Sequence, residues 1–160
     1  MKIEEKLFDL LKKYKLRIVT AESCTGGLLS GKIINVSGAS EIMDMGFVTY
    51  ANSAKMDLIG VREETLKNFG AVSEQVAGEM AEGARKRANA NIGLSTSGIA
   101  GPTGGTKQKP VGMVCFGISI DGKIYTFTHI FKNVSREYIR KSSVNYAIAK
   151  ANKLIEEYYK

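Results

Sequence analysis

The sequence predicts an α/β fold: a single layered domain over residues 1–160, with a mixed sheet flanked by helices, a C-terminal β-hairpin and then a long helix. Three observations predict it. Short apolar, β-branched runs alternate with helical periodicities along residues 3–96, the pattern of strands joined by crossing helices. Asp121-Gly122, a two-residue hairpin signal, separates two strand-like runs. Ser135 then stands as an N-cap before a periodic stretch that runs to about Tyr158.

In chain order, Ile3, Leu7, Leu10, Leu11 and Tyr14 recur at helical spacing with charges between them, so residues 3–14 read as an amphipathic helix. Leu16 to Ala21 reads as a short buried strand, since Ile18 and Val19 are β-branched. A small-residue turn, Thr20 to Gly27, leads into a helix over residues 28–36, and Ser37-Gly38-Ala39-Ser40 makes a second such turn. Phe47 to Tyr50 reads as a strand. Asn52 or Ser53 caps a short helix that carries Lys55, Leu58 and Ile59 and that Gly60 ends. Glu63 to Asn68 adds a helical turn or two. Ser73 caps the next helix, whose face of Val76, Ala77, Met80, Ala81 and Ala84 is small enough for close packing on a sheet or another helix. Ile92 to Thr96 reads as a strand, followed by the longest irregular stretch, Ser97 to Gly105. Val111–Ile120 and Lys123–Phe131 form the hairpin. Ile139, Tyr146, Ala149 and Leu154 are the buried candidates of the last helix.

Composition bounds the function. A chain of 160 residues, 44% hydrophobic and 24% charged, is an ordinary globular domain with a sizeable core. No apolar run approaches the roughly 20 residues that span a bilayer, and Met1 to Lys6 is charged, without a signal-peptide core. The expected location is the cytoplasm, with no membrane partner. Cys24 and Cys115 make no disulfide framework or zinc pattern and read as buried thiols. A single histidine, His129, excludes any two-histidine metal site. The net charge of +7 admits an anionic partner, from nucleic acid down to a phosphate-bearing small molecule. The lysines are spread without a basic run, so a solvated lysine surface is favoured over a nucleic-acid partner.

The stretch Thr20-Ala21-Glu22-Ser23-Cys24-Thr25-Gly26-Gly27 organises the chemistry. Its glycines let the main chain approach a ligand, and the helix that follows offers N–H groups to an anion; a ligand-free tight turn is the plain alternative. Ser23, Tyr50 and Ser97 each follow an apolar strand-like run, so they converge on one rim if ligands gather at the carboxyl ends of strands. Ser40 and Thr96 add further hydroxyls. With histidine nearly absent, a serine with a lysine base is the nucleophile arrangement the composition leaves open, and Lys55 is the candidate; otherwise it is a solvated helix lysine. Arg136 and Arg140 share a face in the first turns of the last helix, where positive charge opposes the dipole unless an anion is present. Glu22 is a candidate to orient a neighbouring lysine or amide, or to form an ion pair.

Together, Ala21–Gly27, Gly46–Tyr50 with Asn52 and Lys55, Gly60–Leu66, Gly70–Ser73, Ser97–Pro102 and Lys109–Gly112 resemble the CinA C-terminal family over roughly residues 5–158. Studied members are nicotinamide-nucleotide amidases. The resemblance implies hydrolysis of nicotinamide mononucleotide to nicotinate mononucleotide and ammonia, in bacterial pyridine-nucleotide recycling, by a homo-oligomer without metal or organic cofactor. It implies Ser40 as nucleophile, Lys55 as base and Tyr50 beside them. It implies Ser23, either Thr96 or Ser97, and Arg140 for substrate binding and support. Thr25, Gly26, Gly27, Arg136 and Arg140 join these as candidates for the 5′-phosphate. Many relatives carry an N-terminal domain resembling molybdopterin-binding proteins, so the chain reads as a stand-alone version or an excised piece. The alternative is a catalytically silent nucleotide- or nucleic-acid-binding module linked to competence or DNA damage.

Overall fold

The computed structural model describes residues 1–160. All the strands join one mixed sheet, in spatial order β2-β1-β3-β4-β5: β1 (Ile18–Glu22), β2 (Met43–Val48), β3 (Ile92–Gly98), β4 (Met113–Ile120) and β5 (Lys123–Ile130). β1 runs parallel to β2 and β3, while β4 is antiparallel to β3 and to β5. Asp121 and Gly122 both take positive φ, 49° and 94°, as a tight hairpin turn with the twist of its strands requires.

Helices cover both faces, so the domain has three layers. α1 (Ile3–Lys13), α2 (Leu28–Ile33) and α6 (Arg136–Tyr158) bury Leu7, Leu11, Leu29, Ile139, Ile148 and Ile155 against one face. α5 (Glu74–Ala88) covers the other, with α3 (Asn52–Ile59) and α4 (Glu63–Phe69) beside it, around Val19, Ile59, Val76 and Met80. Ser73 and Ser135 cap α5 and α6 as expected: each hydroxyl accepts the N–H three residues on, from Val76 at 3.2 Å and Tyr138 at 3.0 Å.

Several boundaries differ from expectation. β2 begins at Met43, although Met43-Asp44-Met45 carries no β-branched residue; pairing with Ile18 of β1 makes it a strand, as an edge. α2 stops at Ile33 because the Asn35 N–H bonds the Lys32 carbonyl, tightening the last turn. Neither Asn52 nor Ser53 caps α3; Ala51 holds that position without a side-chain bond. On α6, Ala149 faces solvent, and Val144, Ala147 and Ala151 sit in the core instead.

The small-residue face of α5 lies directly on the sheet. A Cβ at Gly117 of β4 would collide with the Ala77 carbonyl oxygen, and the Ser95 hydroxyl of β3 donates to that same oxygen at 2.6 Å. Gly117→Ala is therefore expected to destabilise the protein by about 1–3 kcal/mol through overpacking, read as a lower urea midpoint with an unchanged m-value.

Candidate active site

Past the end of β1 the ladder continues for one more residue. The Ser23 N–H donates to the Thr96 carbonyl at 3.0 Å, and the Thr49 N–H donates to the Glu22 carbonyl at 2.8 Å. This sets the residues following β1, β2 and β3 side by side on one rim, where ligands of open α/β sheets bind. A cavity of about 200 Å³ opens there. Its lining includes Ser23, Tyr50, Lys55, Ser97 and Arg136, with Ala71, Val72 and Ala100 as small apolar walls. A larger groove of about 550 Å³, between α3 and α5, is lined by Arg62, Glu79, Glu82, Lys86 and Arg87 and holds no hydroxyl nucleophile.

Lys55 is the one lysine sealed from solvent, at 1% exposure, because α3 turns its first-turn side chain back under the residues that follow β2. Its Nζ lies 2.7 Å from the Thr49 carbonyl oxygen, 3.0 Å from that of Tyr50 and 3.1 Å from Ser23 Oγ. No carboxylate pairs with it, and burial pushes its pKa down from 10.5 to about 8. A neutral amine has two N–H donors and one lone pair. The two carbonyls take the donors, which leaves the lone pair for the Ser23 hydroxyl. The adjacent Cys24 thiol is buried and pushed up to about 12, so it stays protonated and does not compete as a nucleophile.

The remaining sequence candidates fall into distinct places. Ser40 does not meet Lys55 in this chain. It is exposed in a 3-10 turn (Ala39–Glu41) before β2, and its carbonyl accepts from Arg17, just ahead of β1. The length of β1, about 17 Å at roughly 3.3 Å per residue, stands between that rim and Ser23. Loops entering a parallel pair lie opposite the loops leaving it, so the serine that faces Lys55 is Ser23. Of the Thr96–Ser97 pair, Ser97 lines the cavity and donates to the Ala71 carbonyl at 2.8 Å. Thr96 points away, sharing a 2.7 Å hydrogen bond with Thr25.

The Thr25–Gly27 turn does not offer its helix N-terminus to an outside anion. The N–H groups of Gly27, Leu29 and Ser30 all donate to the Glu22 carboxylate, and those of Gly26 and Leu28 donate to the Ser23 and Thr25 carbonyls. Arg140 is likewise engaged: Nε donates to the Cys24 carbonyl at 2.9 Å and Nη2 to that of Thr25 at 3.2 Å. Arg136 is the cation that lines the cavity. It donates to the Gly101 carbonyl at 2.8 Å and lies 3.3 Å from the Tyr50 hydroxyl, at the mouth. The first-turn arginines of α6 thus find partners in the loops around the site. Next to Ser23, the N–H groups of Cys24 and Thr25 have no backbone carbonyl partner.

The model of the CinA C-terminal domain matches residues 1–155. The chain belongs to the CinA C-terminal family. Among relatives of this CinA domain, a putative competence-damage inducible protein of Clostridium acetobutylicum is 56% identical over 124 residues, covering 78% of this chain and 30% of that protein. Another, from Thermoanaerobacter pseudethanolicus, is 50% identical over 146 residues, covering 91% of this chain and 35% of its own. The CinA domain therefore spans about a third of the length of the curated relatives it matches. Among solved structures, a competence or damage-inducible protein from Enterobacter asburiae superposes with a TM-score of 0.92 at 38% identity, covering 96% of each chain. A CinA superfamily protein from Klebsiella pneumoniae gives 0.93 at 32% identity, covering 98% of this chain and 99% of that one. No helix of this CinA domain is long and apolar enough to cross a membrane.

Proposed function

We propose that the chain hydrolyses the carboxamide of nicotinamide mononucleotide, giving nicotinate mononucleotide and ammonia, with Ser23 as nucleophile and Lys55 as its base. The observation that carries this reading is the 3.1 Å approach of Lys55 Nζ to Ser23 Oγ in the lining of the cavity, by a lysine otherwise sealed from solvent. Lys55 takes the Ser23 proton as Oγ attacks the carboxamide carbon. The Cys24 N–H, next to Ser23 in the cavity lining and without a backbone carbonyl partner, is the donor proposed for the tetrahedral oxyanion. The resulting Lys55 ammonium returns its proton to the departing nitrogen, the C–N bond breaks and ammonia leaves. Lys55 then draws a proton from water as the water attacks the acyl carbon, and returns that proton to Ser23 Oγ as the C–O ester bond breaks and nicotinate mononucleotide leaves.

Size and charge support the substrate. At about 200 Å³ the cavity is below the roughly 300–1,000 Å³ usual for a whole small molecule, and its walls suit a flat ring with its carboxamide. The ribose and phosphate of the mononucleotide then lie outside, where Arg136 is the nearest lining cation. The test is ammonia release from nicotinamide mononucleotide and from free nicotinamide, repeated with hydroxylamine present. Expected are turnover of the mononucleotide, much weaker turnover of nicotinamide, and capture of the acyl group as a hydroxamate. Absence of ammonia from both compounds overturns the amidase reading. Equal turnover of both removes Arg136 from substrate recognition.

A further inference from the structure

Glu22 is fully buried beside the proposed nucleophile, and no lysine or arginine pairs with it. Its partners are all neutral donors from the turn that follows it and from the start of α2. Oε1 accepts from Thr25 Oγ1 at 2.6 Å, from the Leu29 N–H at 2.8 Å and from the Gly27 N–H at 3.2 Å. Oε2 accepts from the Ser30 hydroxyl at 2.7 Å and the Ser30 N–H at 3.0 Å. Two strands buttress the ends of this set: Thr96 Oγ1 of β3 lies 2.7 Å from Thr25 Oγ1, and Thr20 Oγ1 of β1 lies 2.5 Å from Ser30 Oγ. A buried carboxyl group is costly without hydrogen-bond partners, and here its donors come from the segment that carries Ser23. On the other side of the turn, Arg140 takes the carbonyls of Cys24 and Thr25. The turn is thus held by its N–H groups from within and by its carbonyls from α6.

We infer that Glu22 is a positioning residue: it winds the turn around its carboxylate, so that Ser23 Oγ meets Lys55. This rests on the reading of Ser23 as nucleophile. Of the roles expected of Glu22, the lysine partner and the ion pair have no contact, and the orientation of neighbouring amides is the one its hydrogen bonds match. Only a carboxylate of this length serves. Glutamine would turn an NH₂ toward at least two N–H or O–H donors whichever way its amide faced, and aspartate is one methylene short of Ser30.

The test compares Glu22→Gln and Thr25→Val with the native protein, using nicotinamide mononucleotide turnover, labelling of Ser23 by phenylmethylsulfonyl fluoride, and thermal unfolding. For Glu22→Gln, kcat is expected to fall about a hundredfold, the cost of a displacement near 1 Å, while KM changes less than about threefold. The labelling rate should fall in parallel, because both reactions need the same Ser23 geometry. Thr25→Val, which removes one donor, should lower both rates by about tenfold. A folded Glu22→Gln protein with kcat and labelling within about threefold of native overturns the inference, even if its melting temperature drops. If Glu22→Gln does not fold, unchanged rates in Thr25→Val overturn it. Loss of activity in Ser23→Ala alongside unaffected Glu22→Gln would spare the nucleophile and reject only the positioning role.

Discussion

Ser23→Ala is expected to lower kcat/KM for nicotinamide mononucleotide by at least about a thousandfold, while Ser40→Ala stays within about twofold of native. The Ser23 side chain makes its single hydrogen bond to Lys55, so its loss leaves no other buried group unpaired and the fold is expected to persist. Ser40 is exposed on the opposite rim, and its contact with Arg17 is made by its backbone carbonyl, which alanine keeps. Steady-state ammonia release with a parallel thermal melt checks both. Native turnover in Ser23→Ala, or inactivity confined to Ser40→Ala, would return the nucleophile to the loop before β2.

Lys55→Met should remove the base, costing about 10³–10⁴ in kcat/KM, and should also erase a pH dependence of stability. In the folded chain Lys55 sheds its proton near pH 8, whereas in the unfolded chain it holds it to about 10.5. Between those values the unfolded state binds more protons, so stability rises with pH, and the rise ends once both states are neutral. At about 1.4 kcal/mol per unit the native protein gains about 3 kcal/mol relative to Lys55→Met across that interval. Urea midpoints of the two proteins from pH 7 to 10.5 measure it, the difference cancelling groups they share. Native kcat/KM should rise toward a plateau above about pH 8 as the amine becomes neutral. Equal stability slopes in the two proteins would mean that Lys55 keeps its proton at working pH and is not a base, and a flat activity profile would mean that its titration does not gate turnover.

What was legible in the sequence is local chemistry. The caps at Ser73 and Ser135, the Asp121-Gly122 turn and the apolar face of α5 each follow from a few neighbouring residues, and the fold repeats them. The convergence of Ser23, Tyr50 and Ser97 was readable as well, since each closes an apolar run and residues leaving parallel strands share a rim. The same rule was available to exclude Ser40, which precedes the strand whether it starts at Phe47, as the sequence suggests, or at Met43, as in the fold. That start is an edge strand without a propensity signal, and its pairing with β1 is what fixes it.

The sequence alone therefore determined the fold class, the family and the set of hydroxyl, lysine and arginine residues from which a site is drawn. Tertiary structure decided which of them face each other. It set Ser23 rather than Ser40 against Lys55, Ser97 rather than Thr96 into the cavity, and Arg136 rather than Arg140 at its mouth. It also spent the N-terminal amides of α2 on Glu22, a partner inside the chain. The reason is physical. Helix faces, caps and turns depend on side chains within a few residues, while the depth of a lysine and the partner of an amide depend on strand order and on what else the packed layers enclose.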